Sequence, residues 1–169
     1  MKRWAILVLC VFLAVIVAAT LFCIWSTPYR KMRASINAAC EETGAPKARI
    51  AAMCKTESGF KENARSAKGA CGVMQLLPST AQAIAALYDI PYQENTLFDP
   101  EKNVRLGCYY YCYLAERFES DWILAAYNAG ETVARKWINE GVALSSIPYK
   151  ETRDYIRKVR FYEKIYALL

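Results

Sequence analysis

The sequence predicts an all-α domain preceded by one N-terminal transmembrane helix. Residues 4–25 contain no charged residue, no Pro and no Gly, and a helix of that length reaches across a bilayer. Beyond this segment, apolar residues recur at spacings of three and four, which is typical of amphipathic helices, and no stretch alternates as a strand does. At 169 residues the chain suffices for one compact domain. We therefore assign residues 1–28 to the anchor with its flanks and residues 29–169 to the domain.

The apolar segment fits either a cleaved signal peptide or a retained anchor. A signal peptide usually has a shorter apolar region and small residues before its cleavage site. Here Phe22, Ile24 and Trp25 occupy those positions, which favours a retained anchor. Trp4 and Trp25 stand at the two ends, where aromatic rings prefer the membrane interface. Basic residues flank both ends, so charge alone does not orient the span.

The first two domain helices are predicted on either side of Gly44. Ile36, Ala39 and Cys40 have helical spacing, and Gly44 can end that helix. Pro46 suits the first turn of the next helix, because its missing N–H costs nothing there. In this second helix, one stripe carries Ile50, Met53, Cys54 and Glu57. A carboxylate on an inward-facing stripe is partly desolvated, which raises its pKa.

The remaining helices are predicted from breakers and caps. Residues 59–72 are polar and glycine-rich and predict a loop, and a helix follows over 78–90. A long helix over 99–118 begins with Asp99 as its cap. Shorter helices follow over 121–130 and 131–141, each ending in Gly, and residues 145–169 end in a long amphipathic helix. Its apolar side carries Ile156, Val159, Tyr162 and Ile165.

Composition excludes several kinds of chemistry. The chain has no histidine, so Ser-His-Asp triads, Cys-His pairs and His-ligated zinc sites are ruled out. Beyond the apolar segment, 20 Lys and Arg stand against 16 Asp and Glu, a net charge of +4, which suits an acidic polymer or a membrane surface. The charges are dispersed, with no basic stripe, so we predict no nucleic-acid binding. The five domain cysteines do not follow a zinc ribbon or knuckle spacing, and buried free thiols are the favoured interpretation; one disulfide, of undetermined pairing, stays open.

Five motifs occur in order along the domain. They are "ESGF", "SAKGACGVMQLLPSTA", "FDPEKNVRLGCYYYCYL", "AAYNAG" and "IPYKETRDYIRKV". Together they resemble the successive motifs of the soluble lytic transglycosylase (SLT) domain family, which is goose-type lysozyme-like, over about residues 36–166. The resemblance implies a lysozyme-like fold with a glycan groove. It also implies cleavage of the β-1,4 bond between N-acetylmuramic acid and N-acetylglucosamine in peptidoglycan.

The resemblance also assigns roles to individual residues. It makes Glu57 the catalytic acid, with an apolar and tyrosine-rich environment keeping it protonated near neutral pH. It implies no metal and no cofactor. The residues it places at the substrate are Met74, Gln75, Tyr127, Asn128 and Tyr155. From their chemistry, Met74 suits an apolar sugar face and Gln75 suits N-acetyl or hydroxyl groups.

Most glycosidases use two carboxyl groups, and substrate-assisted enzymes are an exception. The resemblance implies that Glu57 acts alone, first as acid and then as base, with help from the substrate N-acetyl group, and that the product is a 1,6-anhydro sugar. Two alternatives stay open: a hydrolytic muramidase using an extra carboxylate such as Asp89 or Asp121, and a non-catalytic, anchored glycan-binding module. The expected partners are peptidoglycan strands, the membrane and, as an open class, envelope or secretion machinery. The substrate places the domain on the extracytoplasmic side of the cytoplasmic membrane, held by a single span.

Overall fold

The computed structural model describes the backbone of residues 2–169 and their side chains except at positions 2, 3, 5, 6, 24, 25 and 94. Seven α-helices run in chain order through the described residues, with no strand among them. They are α1 (Lys2–Thr43), α2 (Lys47–Glu57), α3 (Pro78–Leu87), α4 (Pro100–Ala115), α5 (Trp122–Ala129), α6 (Glu131–Asn139) and α7 (Lys150–Tyr166). Short 3-10 turns occupy Glu94–Phe98 and Leu144–Ser146. The all-α prediction is confirmed.

The anchor segment and the first domain helix form one continuous helix, α1, which passes through Pro28. By length and composition, α1 could cross a membrane, and its side chains from residue 7 to 23 are exposed rather than packed in a core. Trp4 is exposed as well, whereas the side chain of Trp25 lies outside the described residues. The predicted boundary between residues 28 and 29 thus falls inside a helix, with no linker at that point.

The second half of α1 belongs to the domain core. Tyr29, Met32, Ile36 and Cys40 are buried on one side of it, where α1 packs against α2 and α4. Gly44 ends the helix in the left-handed region, with φ +78°, and its N–H donates to the Cys40 carbonyl at 2.9 Å. This is the helix end predicted from the sequence.

α2 lies at the centre of the domain, between α1 and α7. Ile50, Met53 and Cys54 are buried, as the apolar stripe predicts, and Ala51 and Ala52 between them are buried as well. α4 begins as predicted, with the Asp99 carboxylate accepting from the N–H groups of Glu101 and Lys102, each at 3.1 Å. A smaller apolar cluster under α3 includes Leu76, Ile84, Leu97 and Leu106. The packing of α2 against α1 and α7 positions its C-terminal end.

All seven cysteines are free thiols in the structure. Four of the five in the domain are buried, which agrees with the favoured interpretation. They are Cys40, Cys54, Cys71 and Cys108, while Cys112 is partly exposed and Cys10 and Cys23 lie on the exposed part of α1.

Candidate active site

Glu57 is the last residue of α2 and lies where the buried stripe of that helix reaches the surface. Its side chain is part-exposed, yet protein surrounds most of the carboxyl group. This burial raises the pKa of Glu57 to about 7, and the negative charge of Glu151 adds to the rise, whereas a contact with the Tyr155 hydroxyl opposes it. A carboxyl with such a pKa is half protonated near neutral pH, and this protonated fraction can act as a general acid.

Two tyrosines border Glu57. Tyr155 of α7 is buried, and its hydroxyl makes no well-aligned hydrogen bond with the residues that the structure describes, although it touches the carboxylate. The hydroxyl of Tyr127, from α5, donates to the Met74 carbonyl at 2.9 Å. Burial and the charge of Glu57 hold the pKa of both tyrosines well above its ordinary value. Both hydroxyls therefore stay protonated and can act as hydrogen-bond donors.

Residues 72–75 form a tight loop beside Glu57, which we call the GVMQ turn. Two hydrogen bonds between Cys71 and Leu76, at 2.9 and 3.0 Å, close its base. Gly72 has φ +78°, and a Cβ atom there would overlap the Asn103 amide and the Leu97 carbonyl. Only glycine combines this backbone conformation with this close approach.

Asn103, which the sequence interpretation did not single out, holds the GVMQ turn. This fully buried residue of α4 accepts from the Met74 N–H at 2.8 Å and donates to the carbonyls of Cys71 and Leu97, both at 3.0 Å. A buried amide is stable only when bonded in this way. The signal in the sequence was a polar residue on the apolar stripe of α4, next to Val104.

Ser58 joins the GVMQ turn to the end of α2. Its hydroxyl donates to the Val73 carbonyl at 2.7 Å and accepts from the Lys61 N–H at 3.1 Å. The residue that follows Glu57 therefore fixes the position of the turn relative to the carboxylate. Phe60 and Gln75, on the two sides of this junction, both have positive φ values, 68° and 50°, a strain that is common at functional sites.

The structure corrects the role predicted for Met74. Its side chain is completely buried, and its sulfur lies so close to Gly107 that a Cβ atom there would overlap it. The thioether therefore packs in the core beneath the GVMQ turn and cannot contact a sugar face in this structure. Its carbonyl accepts a hydrogen bond from the Tyr127 hydroxyl.

Gln75 and Asn128 each use one side of their amide within the protein. The Gln75 nitrogen donates to the carbonyls of Gly72 at 2.9 Å and Ala64 at 3.2 Å, which supports the strained turn. The Asn128 oxygen accepts from the hydroxyl of buried Thr152 at 2.8 Å, which ties α5 to α7. Both side chains are part-exposed. The amide oxygen of Gln75 and the amide nitrogen of Asn128 are therefore available to a ligand.

Among the described residues, one carboxylate, that of Glu151, affects the pKa of Glu57. Glu151, whose charge Glu57 senses, is exposed and lies 3.8 Å from Lys68. Asp121 is buried in an ion network with Arg49, at 3.2 Å, and Arg160, and a cavity of about 670 Å³ beside it is not lined by Glu57. No group of three or more metal-binding side chains occurs in the part of the chain that the structure describes.

Comparisons with known proteins agree with this architecture. The family model "Transglycosylase SLT domain" matches residues 34–148. The soluble lytic murein transglycosylase of Escherichia coli is 33% identical over 132 residues, covering 72% of this chain and 20% of that protein.

Two solved structures superpose with a TM-score of 0.75 and cover 80% of this chain and 24% of theirs. One is an inactive Glu-to-Gln mutant of lytic transglycosylase Slt from Pseudomonas aeruginosa, 34% identical. The other is the 70 kDa soluble lytic transglycosylase of Escherichia coli, 28% identical. The chain spans about a fifth to a quarter of the length of these relatives, and it belongs to the transglycosylase SLT domain family.

Proposed function

We propose that this protein is a peptidoglycan lytic transglycosylase in which Glu57 is the only catalytic carboxyl group. The observation that carries the proposal is the desolvated Glu57 at the end of α2, with a pKa of about 7, next to two neutral tyrosine hydroxyls. Family membership supports the substrate, since the relatives are described as murein transglycosylases. A Glu-to-Gln substitution in the Pseudomonas relative gives an inactive enzyme, which supports a single essential glutamate.

In the first step, protonated Glu57 gives its proton to the oxygen between the two sugars. The bond from that oxygen to C1 of N-acetylmuramic acid breaks as the carbonyl oxygen of the same sugar's N-acetyl group bonds to C1. The leaving N-acetylglucosamine departs with a free 4-hydroxyl. The Tyr155 hydroxyl, which touches the carboxylate, stabilises the negative charge that Glu57 acquires.

In the second step, the Glu57 carboxylate removes the proton from the 6-hydroxyl of the muramoyl sugar. The O6 atom attacks C1, the bond to the N-acetyl oxygen breaks, and a 1,6-anhydro ring closes. Glu57 ends the cycle protonated, as it began. Water takes no part, and no second carboxylate is required.

The neighbouring residues position the substrate. The GVMQ turn, held by Ser58 and Asn103, carries Gln75. The Gln75 amide oxygen and the Asn128 amide nitrogen suit the hydroxyl and N-acetyl groups of the glycan. Tyr127 orients the turn through the Met74 carbonyl. We assign Met74 a packing role in place of direct sugar contact.

The muramidase alternative requires a second carboxylate near the sugar. Asp121 is held in its buried ion network and does not meet this need, which favours the transglycosylase. The test is incubation of the purified full chain with peptidoglycan, followed by mass spectrometry of the products. We expect 1,6-anhydromuropeptides from the wild type and none from Glu57→Gln. Strand binding without cleavage by the wild type would instead indicate the non-catalytic module.

We also propose that α1 anchors the domain on the outer face of the cytoplasmic membrane, where the glycan substrate lies. The length and exposed apolar surface of α1 support this placement. Fractionation tests it, because an anchored chain stays with the membrane after alkaline extraction and is released by detergent.

A further inference from the structure

The catalytic end of α2 lies at the same end of the domain as the apolar part of α1. Tyr29 follows the apolar segment by four residues, about 6 Å along the helix axis. Its ring centroid is 6.1 Å from that of Phe60 and 4.6 Å from that of Tyr166. Phe60 comes three residues after Glu57, and Tyr166 is the last residue of α7. The site and the end of α7 therefore both lie near the predicted membrane surface.

Distances along the chain limit how far the site can stand from the bilayer. The headgroup layer of one leaflet is about 5–8 Å thick, so Tyr29 lies near its outer edge. Three residues of chain span at most about 10 Å, which keeps Glu57 within that distance of Phe60. Because α1 is continuous through Pro28, no flexible linker separates the domain from the membrane-spanning part of the helix.

A cleft of about 630 Å³ opens at this end, between residues 27–32 of α1 and residues 59–64. We call it the membrane-proximal cleft. Lys31 and Lys61 line it, with Glu62 as its one carboxylate. Both lysines are exposed, and neither forms an ion pair with a residue that the structure describes.

The surface around the cleft is also basic and partly apolar. Arg30, Arg33 and Lys164 are exposed and likewise have no carboxylate partner among the described residues. At the end of the chain, Leu168 is 86% exposed and Leu169 38% exposed. Basic residues immediately beyond a membrane helix attract anionic lipids, and exposed apolar side chains beside them favour the headgroup boundary.

We propose that this end of the domain docks on anionic phospholipids of the bilayer that α1 crosses, with lipid phosphates at the membrane-proximal cleft. The inference rests on the proposed membrane anchor. It places the candidate active site on glycan segments next to the membrane, because α2 ends at Glu57 and the loop that follows it supplies residues 59–64 of the cleft.

The test is covalent footprinting of the full chain in lipid nanodiscs. One set of discs contains phosphatidylcholine alone, and the other adds phosphatidylglycerol as one lipid in four. A membrane-impermeant acetylating reagent labels lysines, and mass spectrometry gives the rate at each site. We expect Lys31 and Lys61 to react about fivefold more slowly in the anionic discs, since each cation near such a surface gains about 1 kcal/mol. Lys102 lies on α4 beside residues 34–42 of α1, farther from the predicted membrane. It should react at the same rate in both kinds of disc.

A paired variant tests the apolar contribution. Leu168→Asp with Leu169→Asp should return Lys61 to the rate seen in neutral discs, whereas Leu87→Asp, which replaces an exposed leucine on α3, should not. Equal rates at Lys31 and Lys61 in the two kinds of disc would overturn the proposal. So would failure of the chain to co-purify with the discs. Because labelling needs no glycan, absence of strand cleavage would refute the enzymatic function and leave this result standing.

Discussion

Replacement of Glu57 by Gln should stabilise the fold although it abolishes catalysis. The native structure holds the Glu57 proton more tightly than the unfolded chain does, since burial raises the pKa from an ordinary 4.5 to about 7. Between these two pH values, the native state binds more protons than the unfolded state, so stability falls as pH rises. The stability is fully present below the unfolded pKa, and the loss is complete above the folded pKa. A glutamine side chain does not titrate, so the Glu57→Gln variant escapes this loss.

The size of the effect follows from the same shift. The free energy of unfolding of Glu57→Gln should exceed that of the wild type by about 1 kcal/mol at pH 5 and about 3 kcal/mol at pH 8. Urea titrations of the full chain in a mild detergent would measure it, with the fluorescence of buried Trp137 as the signal. The increase of about 2 kcal/mol between the two pH values is the diagnostic quantity.

The matched control is Glu62→Gln, which removes an exposed carboxylate from the loop just after α2. We expect it to change the free energy of unfolding by less than about 0.5 kcal/mol at either pH. A difference between Glu57→Gln and the wild type that is the same at pH 5 and pH 8 would refute the claim that burial perturbs Glu57. A variant less stable than the wild type at pH 8 would refute it as well.

Three further predictions concern the surroundings of the carboxylate. Tyr155→Phe removes the contact that lowers the pKa of Glu57. The alkaline limb of the pH–rate profile should therefore move to higher pH while kcat falls. A limb that does not move would show that the Tyr155 hydroxyl does not affect the pKa of Glu57. Glu151→Gln removes a charge that raises the same pKa, and steady-state assays should show the limb moving to lower pH. Gly72→Ala should lower the free energy of unfolding by about 2 kcal/mol or more, because strain and overlap combine. Gly69 also has a positive φ, but the space around it is open. Gly69→Ala should therefore lower the free energy of unfolding by only about 1 kcal/mol. Equal losses of stability for the two variants in thermal unfolding would contradict the overlap at Gly72.

Much of the fold follows from local signals in the sequence. Gly44 and Asp99 mark the ends of helices because one tolerates the left-handed conformation and the other accepts from free N–H groups. The position of Glu57 on the inward stripe of α2 follows from helical spacing. The continuity of α1 through Pro28 does not follow, since proline normally breaks a helix by removing a hydrogen bond.

The candidate site was less predictable, because its geometry depends on contacts between distant parts of the chain. Met74 has a side chain suited to a sugar face, yet packing over Gly107 buries it. The amide nitrogen of Gln75 is hydrogen-bonded within its own strained turn. Asn103 lies 29 residues from the Met74 N–H that it binds, and no local pattern reports such a pairing.

The fate of solvent oxygen tests the central claim most directly. Peptidoglycan is digested by the full chain in water enriched in heavy oxygen, and the new muramoyl ends are analysed by mass spectrometry. If Glu57 acts alone, the 6-hydroxyl closes the ring, and the ends carry no solvent oxygen and are one water lighter than a hydrolysed end. Muramoyl ends that carry one heavy oxygen would show that water is the acceptor and would contradict the mechanism.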